Sequence, residues 1–167
     1  MEVLARTPGC PRRIEYRGEF DFKVTPAELW DTVERVDRFE KWWPWLHDFT
    51  LDGTGLVTGS VMRGVVAPPL PYRMRLEVQL VRCHRPSSID ALVRGDLEGE
   101  ATLRLHPAPG GVRVEAAWSI EMMQRPMRLA SRVARPVLVW GHDRVVDVTV
   151  AGFRRGLHAA VGQAADR

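Results

Sequence analysis

Apolar and polar residues alternate with a period of two through most of the chain, between about residues 47 and 122. In YRMRLEVQLVRC (72–83), every second side chain from Tyr72 through Met74 to Leu80 is apolar or aromatic, and the side chains between them are charged or polar. Successive side chains of a strand point to opposite faces, so this pattern predicts strands that are buried on one face. Similar patterns predict strands over 13–22, 56–66, 88–95, 97–105 and 112–122.

Turn-forming residues separate the predicted strands, in the runs DGTG, APPLP, HRPSS, RGD and HPAPGG. Connections this short join antiparallel neighbours, so an antiparallel meander is expected. The RGD tripeptide (94–96) is explained by such a turn and does not indicate adhesion. In the first strand, Gly18 is expected to mark a bulge.

A capped helix follows the first strand, in the segment TPAELWDTVERV. Thr25 and Glu28 have the spacing of a capping box, and Pro26 occupies the first helical position, where its missing N–H costs nothing. A second short helix, DRFEKWW, is expected to stop at Pro44.

The last segment (126–161) lacks most turn signals and is predicted to be helical, with a kink or break at Pro136. The predicted order is one strand, two short helices, five or six antiparallel strands and a long closing helix. This is an α+β arrangement of a single domain over 13–162, preceded by a loose arm over 1–12.

Composition is that of an ordinary globular protein, with 45% hydrophobic and 27% charged residues. The sequence has no apolar run of about 18 residues, so no membrane span is predicted. The N-terminus does not resemble a secretory signal, so a cytoplasmic location is expected. The net charge of +3 comes from scattered arginines, which is only weak support for a nucleic-acid partner. Cys10 and Cys83 lie outside any metal-ligand spacing, and nucleotide-binding motifs are absent, so neither a metal nor a cofactor is expected.

Four stretches occur in a recognisable order: FKVTPAELWDTVERVDRFEKWWPWL, RGDLEGEATLRL, GGVRVEAAWSIEM, and WGHDRVV followed by GFRRGL. Together they resemble bacterial polyketide cyclase/dehydrase-type members of the START-like, or Bet v 1-like (SRPBCC), superfamily. The resemblance covers about residues 13–162. It implies a helix-grip fold, in which a curved antiparallel sheet wraps around a long C-terminal helix.

The resemblance also implies a cavity between sheet and closing helix that holds a small hydrophobic molecule. Some members of the superfamily are cyclases or aromatases, and others carry or sense a ligand. Two hypotheses follow: cyclisation or dehydration of a polyketide-like chain, and non-catalytic binding of a lipid, quinone or other hydrophobic metabolite. RNA binding is disfavoured, because the arginines are not interleaved with aromatic residues. A monomer or homodimer is expected.

Two polar residues on apolar stripes are candidates for catalysis. His142, on the closing helix, is either an acid/base group facing the cavity or a core histidine bonded to its surroundings. Asp143 points about 100° away along the helix and is not expected to orient it. Arg63 shares a face with Val61 and Val65, which favours an inward orientation, and the resemblance implies that an arginine there can polarise a ligand carbonyl.

Further residues are candidates for ligand binding: Trp42, Trp43, Tyr72, Met74, Trp118 and Trp140. Trp118 lies on the apolar face of its strand, and Trp140 is expected to close one end of the cavity. The segment EKWWPWL could be a core plug, a membrane foot, a base-stacking platform or a pocket lip. Few basic residues flank it, which disfavours the second and third. We expect one of Trp42 and Trp43 to form the lip and the other to pack, with Trp45 as a core or edge anchor.

Overall fold

Strands account for most of the chain between residues 13 and 122, as the alternation predicts. A computed structural model describes residues 13–123 and 135–165 of the 167-residue chain. The strands are β1 (Arg13–Phe22), β2 (Leu46–Asp52), β3 (Val61–Val66), β4 (Met74–His84), β5 (Ser88–Gly95), β6 (Leu97–Ala108) and β7 (Gly111–Met122). The helices are α1 (Pro26–Val33), a 3₁₀ turn (Val36–Arg38), α2 (Phe39–Trp42) and α3 (Arg135–Ala165).

The strands form one sheet in the order β1-β7-β6-β5-β4-β3-β2, and every neighbouring pair is antiparallel. Strands β2 to β7 are a meander, and β1 joins the far edge by pairing with β7. The open antiparallel sheet, the short helices after β1 and the long C-terminal helix confirm the predicted helix-grip fold. With β2, which begins at Leu46 directly after Trp45, the meander has six strands, the larger of the two numbers expected.

The predicted capping box begins α1. The backbone N–H of Thr25 donates to Glu28 Oε2 at 2.8 Å, and the Glu28 N–H donates to Thr25 Oγ1 at 3.3 Å. The hydrogen bond from the Thr25 backbone, followed by the one from its side chain, lowers the pKa of Glu28. The cap fixes where the helix starts, so that Leu29 and Trp30 are both fully buried against the sheet.

Gly18 does not mark a bulge, because β1 pairs with β7 without interruption from Arg13 to Phe22. The glycine instead makes room for an aromatic ring on the inner face. A Cβ at Gly18 would lie 2.2 Å from the Tyr16 hydroxyl oxygen, well inside van der Waals contact. The glycine therefore allows the Tyr16 ring to lie flat over its own strand.

The described part of α3 begins at Arg135, and Pro136 is its second residue. The kink or break predicted at Pro136 concerns its junction with the residues before Arg135, so it stays a prediction. Residues 126–134 of the predicted helical segment, and the predicted arm over 1–12, lie outside the described residues. No helix in the described part of the chain is long and apolar enough to cross a membrane.

Two buried clusters lie at opposite ends of the β6–β7 ladder. One surrounds the Leu97–Met122 pair, and the other surrounds the Leu105–Val114 pair together with Leu157 of α3. Space therefore remains between the middle of the sheet and the helix that crosses it.

Candidate functional site

A cavity of about 500 Å³ lies between the inner face of the sheet and α3. Side chains from six strands, all three helices and the loops after α2 and β3 line it. The lining residues that the structure describes include no aspartate, glutamate, lysine or arginine. Those with polar side-chain atoms are Trp43, Trp45, Tyr72, Trp118, His142 and Thr149.

The alternation of β4 places its apolar face on the cavity, as expected. Met74 is buried there, and Tyr72, just before the strand, lines the same wall. Burial raises the pKa of the Tyr72 hydroxyl. Like any phenol, this group can donate or accept a hydrogen bond at neutral pH. The Thr149 hydroxyl is already engaged, because it donates to the Val145 carbonyl at 2.6 Å.

His142 faces the cavity next to Trp118, and the two residues are hydrogen-bonded. The Trp118 indole N–H donates to His142 Nε2 at 3.1 Å. An indole can only donate, so Nε2 must accept, and the proton of the neutral imidazole lies on Nδ1. Asp143 Oδ1 is 3.2 Å from Nδ1 and accepts a hydrogen bond from the Nδ1–H group. The expectation that Asp143 would not orient His142 is wrong, because its side chain folds back across the angle that separates adjacent helical positions.

Tyr16 completes this region, which we call the histidine cluster (Tyr16, Trp118 and His142). The Tyr16 and Trp118 rings stack at 4.2 Å and 20°, and the Tyr16 and His142 ring centres are 5.3 Å apart. Burial, followed by the charges of Asp143 and Asp147, raises the pKa of Tyr16. One sequence signal could have found this residue, namely its position on the inward stripe of β1. Its pairing with Trp118 depends on the β1–β7 register.

A second aromatic region, the tryptophan cluster (Phe39, Trp42, Trp43 and Trp45), lies between α2, the start of β2 and α3. Trp43 lines the cavity, and its indole N–H donates to the Thr149 carbonyl at 3.1 Å. Trp45 stacks on Trp43 at 5.7 Å and 9° and also lines the cavity. The Trp45 Nε1 atom is buried and has no hydrogen-bond partner among the described residues.

Trp42 does not line the cavity, so its assignment as a ligand-binding residue is wrong, and it fills the packing role. Its ring packs edge-on against Phe153, with ring centres 5.7 Å apart. Two glycines of α3 leave room for Trp42. A Cβ at Gly152 would lie 2.2 Å from the Trp42 carbonyl oxygen, and a Cβ at Gly156 would lie 2.4 Å from the Trp42 indole ring. Trp42 therefore joins α2 to α3, and Trp43 takes the place at the pocket.

Arg63 points away from the cavity, so the predicted inward orientation is wrong. Its side chain is 48% exposed and pairs with Glu77 at 2.9 Å and Asp52 at 3.8 Å on the outer face of the sheet. Met62 and Val66 turn inward instead. Trp140 also differs from the prediction, because it is 54% exposed on α3 and does not close the cavity.

A family model described as "Polyketide cyclase / dehydrase and lipid transport" matches residues 13–161. None of the curated proteins compared with the chain matches it.

Solved structures share the fold at low sequence identity. A protein from Thermus thermophilus has a TM-score of 0.72 and 14% identity, covering 88% of this chain and 99% of its own. A conserved Geobacillus kaustophilus protein has a TM-score of 0.68 and 12% identity, covering 88% and 97%. The di-domain ARO/CYC StfQ of the steffimycin biosynthetic pathway has a TM-score of 0.65 and 12% identity, covering 94% of this chain and 53% of that protein.

Proposed function

Because the chain belongs to the polyketide cyclase / dehydrase and lipid transport family, we propose that it binds a small hydrophobic molecule, polyketide-like or lipid-like, in the cavity beneath α3. The observation that carries this proposal is the cavity itself. It has about 500 Å³ of space, and its described lining holds no acidic or basic side chain apart from His142. Pockets for small organic ligands have this size and this mainly apolar character.

The polar groups of the cavity favour carriage or sensing of a ligand over catalysis. In the histidine cluster both imidazole nitrogens are already hydrogen-bonded, and the Thr149 hydroxyl bonds within its helix. A general base needs a free lone pair directed at the ligand. Binding alone needs only the apolar wall and a few donors.

Native mass spectrometry of the purified protein tests the binding proposal. We expect a co-purifying hydrophobic molecule, or an empty protein that takes up a neutral naphthalene ketone in one-to-one stoichiometry. A protein that is empty as purified and binds no hydrophobic probe at millimolar concentration would contradict it.

Cyclisation or dehydration of a poly-β-keto chain is the second candidate, and the position of His142 on the cavity wall favours it. StfQ, whose name assigns it to aromatase/cyclase chemistry, has the same fold. Catalysis by His142 would require Trp118 or Asp143 to release a ring nitrogen first.

Turnover of a poly-β-keto thioester separates the two candidates. If the protein is an enzyme, His142→Ala abolishes the conversion and Arg63→Ala preserves it, because Arg63 lies outside the cavity. Carriage predicts recovery of unchanged substrate from the wild-type protein as well.

A further inference from the structure

Six residues give the described cavity wall its polar side-chain atoms, and five of them offer a ligand little. Trp43 and Trp118 donate their indole N–H groups within the protein, and the Thr149 hydroxyl donates within α3. Both ring nitrogens of His142 are hydrogen-bonded. Trp45 Nε1 is buried, so a ligand in the cavity cannot contact it. Hydrogen bonds to a ligand have to come from the sixth residue.

That residue is Tyr72, which lies between the exposed residues Pro71 and Arg73 and is itself half-buried. Burial raises the pKa of its hydroxyl, with no contribution from a charge or a hydrogen bond of the described residues. The buried side-chain atoms of the described chain that lack a partner are Trp45 Nε1 and Ser60 Oγ, and the Tyr72 oxygen is not one of them. The hydroxyl is therefore unengaged by the described residues and is still reachable.

The two ends of the cavity also differ in polarity. At the end near the Leu105–Val114 pair, wall side chains such as Leu29 and Phe153 carry no polar atom. Tyr72 packs against the other buried cluster, around the Leu97–Met122 pair. A cavity of this kind orients its ligand through a few polar groups placed on an apolar wall. The polar part of a ligand is therefore expected at the Tyr72 end.

We propose that the Tyr72 hydroxyl determines ligand specificity, by hydrogen-bonding the carbonyl or hydroxyl oxygen of an uncharged hydrophobic molecule. A phenol can donate to a carbonyl oxygen, and it can donate to or accept from a hydroxyl group. An anionic oxygen fits less well, because the described wall has no lysine or arginine and burying an unpaired charge is strongly unfavourable. This inference rests on the proposed binding function and adds the polar feature of the ligand.

Three probes of similar size test the proposal: 2-acetylnaphthalene, 2-isopropenylnaphthalene and 2-naphthoate. The first two differ by a carbonyl oxygen in place of a CH₂ group, and the third is an anion. Their dissociation constants are measured by equilibrium dialysis with the wild-type protein, Tyr72→Phe and Tyr16→Phe. Tyr72→Phe removes the hydroxyl and keeps the ring. Tyr16→Phe makes the same change at the other tyrosine of the chain, which does not line the cavity.

The decisive quantity is the ratio of alkene to ketone dissociation constants within each protein. Any loss of folded protein cancels in this ratio, and the hydration of the probes is the same for all three proteins. We expect Tyr72→Phe to lower the ratio about three- to tenfold, the effect of losing one hydrogen bond. The change should come from weaker ketone binding, because the alkene has no oxygen to bond. Tyr16→Phe should leave the ratio unchanged.

Two further measurements examine the contact and the charge of the ligand. A hydrogen bond to a carbonyl oxygen lowers its infrared stretching frequency, so bound 2-acetylnaphthalene should absorb at a lower frequency in the wild-type protein than in Tyr72→Phe. We also expect 2-naphthoate to bind the wild-type protein at least tenfold more weakly than the ketone, because its charge has no cationic partner on the described wall.

The possible failures are distinguishable. An unchanged ratio in Tyr72→Phe would overturn the role of this hydroxyl while leaving hydrophobic binding intact. An equal fall of the ratio in Tyr16→Phe would overturn it too, because the preference for the ketone would then not depend on one hydroxyl. Naphthoate binding as tight as ketone binding would overturn the claim that the ligand is uncharged. Failure of the wild-type protein to bind all three probes would reject the proposed function and this inference together.

Discussion

The tryptophan cluster and the histidine cluster each contain a stacked aromatic pair with at least one ring on the cavity wall. Trp43 lies on Trp45 at 5.7 Å, and Tyr16 lies on Trp118 at 4.2 Å. In the histidine cluster the hydrogen bonds run from the indole through the imidazole to an aspartate without a gap. In the tryptophan cluster they end at Trp43, and the next indole N–H, that of Trp45, is buried without a partner among the described residues.

This difference separates two tasks that aromatic residues perform in a binding site. A polar group satisfied within the protein gains little from a ligand, because a new hydrogen bond would only replace an existing one. The histidine cluster therefore sets the shape of the wall. In the tryptophan cluster, Trp43 and Trp45 line the cavity while Trp42 joins α2 to α3, so changes in the two regions should have different consequences.

The largest loss of stability is expected from Trp42→Ala. Trp42 is the residue of the tryptophan cluster that packs between the helices without lining the cavity. Removing a large aromatic side chain from between two helices leaves space that the backbone cannot refill, and we expect a loss of about 3 kcal/mol in the free energy of unfolding by urea. Trp140→Ala is the matched control, because that indole is 54% exposed, and it should change stability by less than about 0.5 kcal/mol. Equal losses in the two variants would contradict the packing role.

Gly152→Ala should damage the same contact from the side of α3. Alanine favours a helix by about 1 kcal/mol over glycine, but here its Cβ would lie 2.2 Å from a backbone oxygen that cannot rotate away. Overpacking of this kind costs about 1–3 kcal/mol, so we expect a net loss of up to about 2 kcal/mol in urea unfolding. Gly162→Ala in the same helix meets nothing within 4 Å and should stabilise slightly. A gain in both variants would show that the close approach is not limiting.

In the histidine cluster, His142→Phe keeps an aromatic ring and removes the acceptor of the Trp118 N–H. We expect a loss of about 1–2 kcal/mol in unfolding free energy, the cost of an unpaired, partly buried donor. His142→Gln retains an acceptor oxygen and should lose less. Similar losses for both variants would mean that ring packing, and not the hydrogen bond, holds this region.

The smallest effect is expected from Arg63→Ala, which changes neither cluster. Its ion pairs are exposed, and such pairs contribute at most about 1 kcal/mol. Stability should fall by no more than that, and the dissociation constant of 2-acetylnaphthalene should stay the same. A clear loss of ketone affinity would show that Arg63 does contribute to the binding site.

The order of elements, the helix cap and the inner face of β4 could be predicted because each depends on residues close in sequence. The orientation of Arg63 could not, because β3 is apolar on both faces. Val61 and Val65 share the outer face with the arginine, while Met62 and Val66 face inward. Alternation identifies a buried face only where the other face is polar.

The two clusters also differ in how far the sequence predicts them. The whole tryptophan cluster lies within seven consecutive residues (39–45), so the sequence pattern identifies it and leaves open which ring faces the ligand. The histidine cluster joins Tyr16, Trp118 and His142 through a strand pairing that spans about a hundred residues. No local pattern specifies such a pairing, so Tyr16 is not among the predicted site residues. The missing partner of Trp45 Nε1 depends on what surrounds one atom, which a sequence pattern does not describe.

The glycine contacts of α3 bear on how the ligand range of this protein could be altered by design. At Gly152 the helix backbone contacts the backbone of Trp42 with no side chain between them. No side chain at this point can therefore be shortened to change the spacing of α2 and α3. Lifting the helix there to admit larger molecules would separate Gly156 and Phe153 from the Trp42 ring and lose that packing. A redesign for larger molecules therefore has to trim the side chains that line the cavity, such as Met74 or Ile120, and leave the framework of the two helices as it is.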